Sequence, residues 1–321
     1  MLDISSSIRN VLVTGGCGFV GSNVIRLLLA QYPHLHICNV DKMDYNSQPL
    51  RELEASPQYT FVHCDICDEN MLLQLLRSHQ VELVLHFAAQ SHVDRSFLDP
   101  HLFVKDNIQG TLSVLEAARK YGSLRLLVHF STDEIYGDRP EHQPFHEESP
   151  LCPTNPYSAS KAGAEMLVRS YHRCFRLPLV VARCNNIYGP NQYRDKVIPL
   201  FADRLRRGLR CPVHGTGEQR RSFIHVEDVC GALLCMMRCG ALGEVYNIGS
   251  DEEYSILQVV EHLQAALGVE GPPQVEFIDD RPYNDQRYLI DDSKLRALGW
   301  APQCSFVDKL CHELGPQISF R

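Results

Sequence analysis

The sequence predicts an α/β protein, a doubly wound parallel sheet followed by a smaller α/β lobe. Short apolar runs alternate with amphipathic segments up to about residue 190, and beyond it the segments become shorter and less regular. A glycine-rich turn also separates the first apolar run from the first amphipathic segment. Residues 9–14 read as a buried strand and 19–30 as the helix that follows. Further strands are expected at 35–40, 59–64, 83–87, 124–130 and 179–183, and helices at 69–77, 102–121 and 156–175. Parallel strands need crossover helices, which cover both faces of the sheet. In the second part, helices are expected at 197–207, 226–238, 255–267 and 293–298, and extended segments at 221–225, 245–248 and 275–278. The lobes are therefore expected to divide at 1–190 and 191–321, with some chain crossing between them.

Composition narrows the class. The 321 residues are 44% hydrophobic and 22% charged, an ordinary globular balance. A net charge of -8 and few basic runs argue against a nucleic-acid partner. No apolar run is long enough to span a membrane, the N-terminus lacks the regions of a signal peptide, and a cytoplasmic location is expected. The thirteen cysteines are scattered, with Cys64 and Cys67 as the one C-x-x-C, so reduced thiols and no metal are expected.

The turn is Thr14-Gly15-Gly16-Cys17-Gly18-Phe19-Val20-Gly21. Gly15 permits the tight turn, Gly18 lets the backbone approach a pyrophosphate, and Gly21 lets helix and strand pack closely. The helix N-terminus, with Phe19 and Val20, then faces the phosphates. This is a Rossmann-type dinucleotide site. Asp41, at the end of the second strand, is placed to accept both ribose hydroxyls, which favours NAD over NADP. Lys42 and Asp44 follow it. Asp65 and Ile66 are placed at the adenine edge, and the small residues of Phe87-Ala88-Ala89 let the cofactor pass. Cys17 is small enough for the loop and would make it sensitive to thiol reagents.

A second constellation carries chemistry. Tyr157 and Lys161 are spaced i, i+4, so on a helix they share a face, and the ammonium is expected to pull the phenol below its usual pKa near ~10. Such a tyrosine can take a proton from a sugar hydroxyl while a hydride leaves the same carbon. Asp133 and Glu134, after Thr132, add an acid and a base for a second step, which points to oxidation followed by elimination.

Glycine loop, Asp41, Thr132 and Tyr157/Lys161, in this order, resemble the extended short-chain dehydrogenase/reductase superfamily. Ser131-Thr-Asp-Glu-Ile-Tyr-Gly137, His86-Phe-Ala-Ala-Gln-Ser-His-Val-Asp94, Pro153-Thr-Asn-Pro-Tyr-Ser-Ala-Ser-Lys161 and Arg183-Cys-Asn-Asn-Ile-Tyr-Gly-Pro190 resemble nucleotide-sugar 4,6-dehydratases across nearly the whole chain. The resemblance implies NAD-dependent conversion of a nucleoside-diphosphate glucose to a 4-keto-6-deoxy sugar, as in rhamnose biosynthesis. Tyr157 would be the base at the 4-hydroxyl, with Thr132 on the same oxygen and Lys161 on the nicotinamide ribose. Glu134 would take the C5 proton and Asp133 would protonate the departing 6-hydroxyl. Ser91 and Asp106 join the expected cofactor contacts.

For the substrate, the resemblance implies Arg221, Arg281 and Asn186 at the diphosphate, Lys196 and Val197 in the nucleotide pocket, and Pro212 and His214 beside the base. It puts Asn247 at the nucleoside, Asp94 near the sugar, and Asn284 and Tyr288 in the same site. The run Asn284-Asp285-Gln286-Arg287-Tyr288 looks like the UDP-glucose dehydratase part of plant rhamnose synthases, so UDP-glucose is favoured over dTDP-glucose. A homodimer formed through helices 102–121 and 156–175 is also implied. The alternatives are a UDP-sugar 4-epimerase or decarboxylase of the same superfamily, and a non-catalytic NAD-binding regulator.

Overall fold

The computed structural model describes residues 7–138 and 143–314; the outer ends of the two expected lobes, 1–6 and 315–321, lie outside the described residues. The first half alternates as expected. Strands β1 (Asn10–Thr14), β2 (His36–Asp41), β3 (Tyr59–His63), β4 (Leu83–His86), β5 (Leu126–Thr132) and β6 (Leu179–Cys184) are threaded by helices α1 (Phe19–Gln31), α2 (Glu69–Ser78), α3 (Val93–Leu98), α4 (Pro100–Phe103), α5 (Gly110–Tyr121) and α6 (Pro156–Phe175). The second half contributes β7 (Asn186–Tyr188), α7 (Val197–Arg206), β8 (Cys211–His214), β9 (Arg220–His225), α8 (Val226–Cys239), β10 (Val245–Ile248), β11 (Glu253–Ser255), α9 (Ile256–Leu267), β12 (Val275–Ile278), α10 (Ser293–Arg296) and α11 (Phe306–Leu314).

Seven parallel strands form the main sheet in the order β10-β6-β5-β4-β1-β2-β3. The order reverses between β1 and β4, the crevice where open α/β sheets bind ligands. Val11, Val13, Leu83, Leu85 and Val128 pack one face against α1 and α8, and Leu12, Val84, Leu127 and Val181 pack the other against α2, α5 and α6. Burial on both faces is why these strands read as continuous apolar runs. A smaller lobe carries a three-stranded sheet, β11-β9-β7, and a two-stranded one, β12-β8. Its core joins α7, α9 and α11 through Phe201, Leu205, Val259, Leu263, Phe306 and Leu310.

The division at residue 190 is crossed in both directions: β7, before it, pairs with β9 of the smaller lobe. Strand β10 pairs with β6, and α8 contributes Val229, Leu233 and Met236 to the core of the main sheet. The expected helix 102–121 is also interrupted. It starts at Pro100, capped by the Asp99 side chain, and passes through a π-helical turn at Val104–Gln109. That turn places Asn107 opposite Gln90: the Asn107 side chain accepts from Gln90 N at 2.7 Å and donates to Gln90 O at 3.0 Å and Ser160 Oγ at 2.8 Å. The short elements α3, β7 and β11 were too brief to leave a period in the sequence. The C-terminal ends of β1, β2, β4, β5 and β6 converge on the crevice.

Candidate active site

One cleft runs from the glycine turn, across the strand ends, to β8 and β9, and encloses about 2580 Å³ including space open to solvent. Every residue proposed from the sequence lines it, except Asn247.

The dinucleotide end is formed by close backbone approach. Gly15 has φ +71°, and a Cβ there would lie 2.5 Å from Ala88 N. At Gly21 a Cβ would lie 2.5 Å from Gly15 O and 2.7 Å from Gly16 Cα, so loop and helix could not meet. Gly18 meets only Gly15 O at 3.2 Å, which leaves its outer face open to a phosphate. Asp41 is oriented by three donors: Cys17 N at 3.0 Å, Met43 N at 2.8 Å and Ser47 Oγ at 2.9 Å. Its four lone-pair sites leave capacity for a ribose hydroxyl. Burial and the neighbouring Asp41 push the Cys17 thiol up to about 11, which disfavours the thiolate that a thiol reagent would attack. Lys42 pairs with Asp106, and Gln90 Nε2 bridges Asp44 at 2.6 Å and Asp106 at 2.7 Å. These three predicted cofactor residues thus form one polar floor beneath the glycine turn. Asp65, Ile66 and Ser91 also line the cleft. The residues fit a dinucleotide.

The catalytic turn follows from where β5 stops. Thr132 ends the strand, and its hydroxyl accepts from Glu134 N at 3.3 Å, which starts a single 3₁₀ turn over Asp133–Tyr136. Asp133 thereby faces inward, where Asn185 Nδ2 donates to it at 2.7 Å and Thr132 Oγ1 at 3.2 Å. Burial, with the charge of Glu134 adding to it, pushes the Asp133 carboxyl up to about 7. Burial also raises Glu134, opposed by Arg221, by Lys196 and by Asn155, whose Nδ2 donates to Glu134 Oε2 at 3.4 Å. Asn155 also caps α6, so the cap that starts the helix of Tyr157 and Lys161 also holds Glu134. Neither Asn155 nor Asn185 was picked from the sequence; Asn155 before Pro156 carried an N-cap signal, and Asn185 stood in a quoted motif.

Tyr157 and Lys161 share the inner face of α6, both buried, but the expected depression of the phenol is not present. Burial, reinforced by Glu134 and Asp133, raises the Tyr157 pKa, and only the hydrogen bond with Thr132 opposes it. Burial also pushes Lys161 down to about 8, and its Nζ donates to Phe130 O at 2.6 Å. Desolvation outweighs the ion–phenol attraction assumed from spacing alone.

In the small-lobe half, Arg221 lies over the Tyr288 ring at 4.7 Å and its Nη2 donates to Asn284 Oδ1 at 3.3 Å. Arg281 is ion-paired with Asp94 at 2.6 Å, which joins an expected phosphate ligand to an expected sugar neighbour. Lys196 donates to Ser91 O at 2.6 Å and bridges the lobes. Val197, Pro212, His214 and Asn186 line the cleft wall. Asn247 does not. It is fully buried, accepts from Tyr136 OH at 2.8 Å, and donates to Asp291 O at 2.9 Å and Phe145 O at 3.2 Å. Its place is a pin behind the catalytic turn rather than a nucleoside contact, because β10 turns that side chain into the core.

Residues 12–314 match the GDP-mannose 4,6 dehydratase family. The chain is 41% identical over 315 residues to a trifunctional UDP-glucose 4,6-dehydratase/UDP-4-keto-6-deoxy-D-glucose 3,5-epimerase/UDP-4-keto-L-rhamnose-reductase of Arabidopsis thaliana, covering 97% of this chain and 47% of the plant protein. The chain thus spans about half the length of that relative. It is 40% identical over 302 residues to the dTDP-D-glucose 4,6-dehydratase of Bos taurus, covering 92% of this chain and 84% of the bovine one. The crystal structure of DesIV, a dTDP-glucose 4,6-dehydratase from Streptomyces venezuelae with NAD and TYD bound, superposes with a TM-score of 0.90 at 38% identity, covering 95% of each chain.

Proposed function

The chain belongs to the GDP-mannose 4,6 dehydratase family, within the extended short-chain dehydrogenase/reductase superfamily, and from that premise we propose that it dehydrates a nucleoside-diphosphate glucose to the 4-keto-6-deoxy sugar. The observation that carries the reading is the carboxylate pair, Asp133 buried and Glu134 half-buried, in the same cleft as Tyr157 and Lys161. Bound NAD would supply the acceptor, and then the donor, of a hydride. The chain's own residues handle the protons. Burial keeps the Tyr157 phenol protonated in the free chain; beside the cationic nicotinamide ring of bound NAD it would ionise and then take the proton of the 4-hydroxyl, with Thr132 bonded to the same oxygen and Lys161 to the nicotinamide ribose. A 4-keto group acidifies C5–H; Glu134 removes that proton and gives one back to C5 when hydride is returned to C6 after water has left. Asp133, with its carboxyl pushed up to about 7, still carries a proton near neutral pH and gives it to the leaving 6-hydroxyl. Arg221, Arg281 and Asn186 hold the diphosphate.

UDP-glucose is the favoured substrate, on the strength of Asn284 and the residues after it; relatives acting on UDP-glucose and on dTDP-glucose are equally similar to this chain. The enzyme works as a homodimer in the cytoplasm. Leu112 of α5 and Met166 and Phe175 of α6 are exposed on the two helices implied in dimer packing, and all thirteen cysteines are free. A 4-epimerase would need Tyr157 and Lys161 but not Asp133 and Glu134. The double variant Asp133→Asn/Glu134→Gln tests the assignment: it should still reduce its cofactor on adding nucleotide sugar, seen as near-ultraviolet absorbance, and release almost no 4-keto-6-deoxy product. Full dehydration by that variant would refute it. A comparison of kcat/KM for UDP-glucose and dTDP-glucose decides the nucleotide.

A further inference from the structure

A third carboxylate, Asp285, lines the catalytic end of the cleft and has no part in the mechanism above. It is only 3% exposed. Both of its oxygens are occupied: Oδ1 accepts from the Thr154 hydroxyl at 2.7 Å, and Oδ2 accepts from the Tyr288 phenol. Thr154 stands in the loop that enters the capped N-terminus of α6, next to Asn155. Tyr288 is the residue that Arg221 covers. Asp285 therefore ties residues 281–288 of the recognition wall to the start of the catalytic helix.

Donor and acceptor roles follow. A phenol has one hydrogen, and here Asp285 takes it. Burial raises the Tyr288 pKa, so the hydrogen stays in place. The phenol oxygen then offers only lone pairs to the cleft, which suit the hydroxyl of a sugar and repel an anionic oxygen. We propose that Asp285 is a positioning residue: it holds Tyr288 as a hydrogen-bond acceptor for a hydroxyl of the sugar and keeps a negative charge facing Glu134. The proposal rests on the nucleotide-sugar reading. The groups that face Glu134 are Asp133 from its own turn, Asn155 and Tyr157 from α6, Arg221 from β9, Lys196 at the start of α7, and Asp285 and Tyr288. Of these, Arg221 and Lys196 pull the Glu134 pKa down and Asp285 pushes it up. Removal of the Asp285 charge thus leaves Glu134 ionised to lower pH.

The test uses the full chain and two variants, Asp285→Asn and Thr154→Val. Calorimetric titration with UDP-glucose, dTDP-glucose, UDP and dTDP is paired with the pH profile of kcat. Asp285→Asn should bind its nucleotide sugar about tenfold more weakly, as for loss of a charged hydrogen bond, while binding the free nucleotide as before. Its acid limb of kcat should move to lower pH. Thr154→Val keeps the charge, so it should lose about threefold in sugar-nucleotide affinity with an unmoved profile. Unchanged affinity in either folded variant, or an equal loss for sugar nucleotide and free nucleotide, overturns the assignment of Asp285. If the native chain binds neither nucleotide sugar, the functional reading falls and this proposal with it. If Asp285→Asn does not fold, Thr154→Val alone decides.

Discussion

The two walls of the cleft hold their side chains by different means. On the large-lobe wall, Thr132, Asp133 and Glu134 sit where β5 stops, and Tyr157 and Lys161 lie on a helix fixed by its cap. Backbone geometry sets their positions. On the opposite wall, Arg281, Asn284 and Tyr288 of the irregular stretch 281–288 are held by Arg221 of β9 and Asp94 of α3, through stacking, a hydrogen bond and an ion pair that crosses between the lobes. The difference suits the division of labour. Proton transfer tolerates little displacement of the donor, whereas recognition of a flexible diphosphate can be shared among several adjustable contacts.

Substitutions on the rigid wall should therefore remove turnover, and those on the other should weaken binding. The largest effect is expected from Gly21→Ala. Its Cβ has no space against Gly15 O and Gly16 Cα, so cofactor content and activity should both fall to background, as read from the absorbance of the purified protein. Full cofactor occupancy in that variant would break the account of the turn. Next, Tyr157→Phe should lower kcat by roughly 10²–10⁴-fold with KM little changed, in steady-state assays. Arg221→Lys loses the planar fork and its place over Tyr288; KM should rise about tenfold while kcat stays within a few-fold. A fall in kcat as large as that of Tyr157→Phe would erase the distinction between the walls.

A pH effect sharpens it further. The Asp133 carboxyl titrates at about 7 in the folded chain, against ~4 in an unfolded one. Between those values the folded state binds the extra proton, so this group makes stability fall as pH rises from about 4 to 7. Asp133→Asn abolishes that slope, and its melting temperature should exceed that of the native chain at pH 8 but not at pH 4. The same variant should lose dehydration, so the acid would be kept for function at a cost in stability.

Asn247→Ala gives the smallest change in activity. Its side chain pins Tyr136 and two backbone carbonyls, so the loss should be about 1–3 kcal/mol of stability, with KM unchanged. Asn247 also shows what the sequence could not reveal. The extended segment 245–248 was legible, yet which way a strand residue faces depends on β10 joining β6, a contact between residues about sixty positions apart. Pairing at that range also hid the return of α8 to the main sheet. The glycine turn, Asp41 and the Thr132-Asp133-Glu134 and Tyr157/Lys161 set were legible because each needs only a local element and a fixed spacing. Asp285 was hidden for the opposite reason: its partners Thr154 and Tyr288 come together only when both lobes have folded. The Tyr157 pKa was misjudged from spacing because burial, which spacing does not carry, dominates it.

The claim at the centre is that Glu134 and Asp133 strip a proton and a hydroxyl from a transiently oxidised hexose. Turnover of UDP-glucose and dTDP-glucose in heavy water, followed by mass spectrometry of the product, tests it most directly. The account predicts a sugar nucleotide lighter by one water, with solvent deuterium at C5. Recovery of a product of unchanged mass with no deuterium, as an epimerase would give, would contradict it.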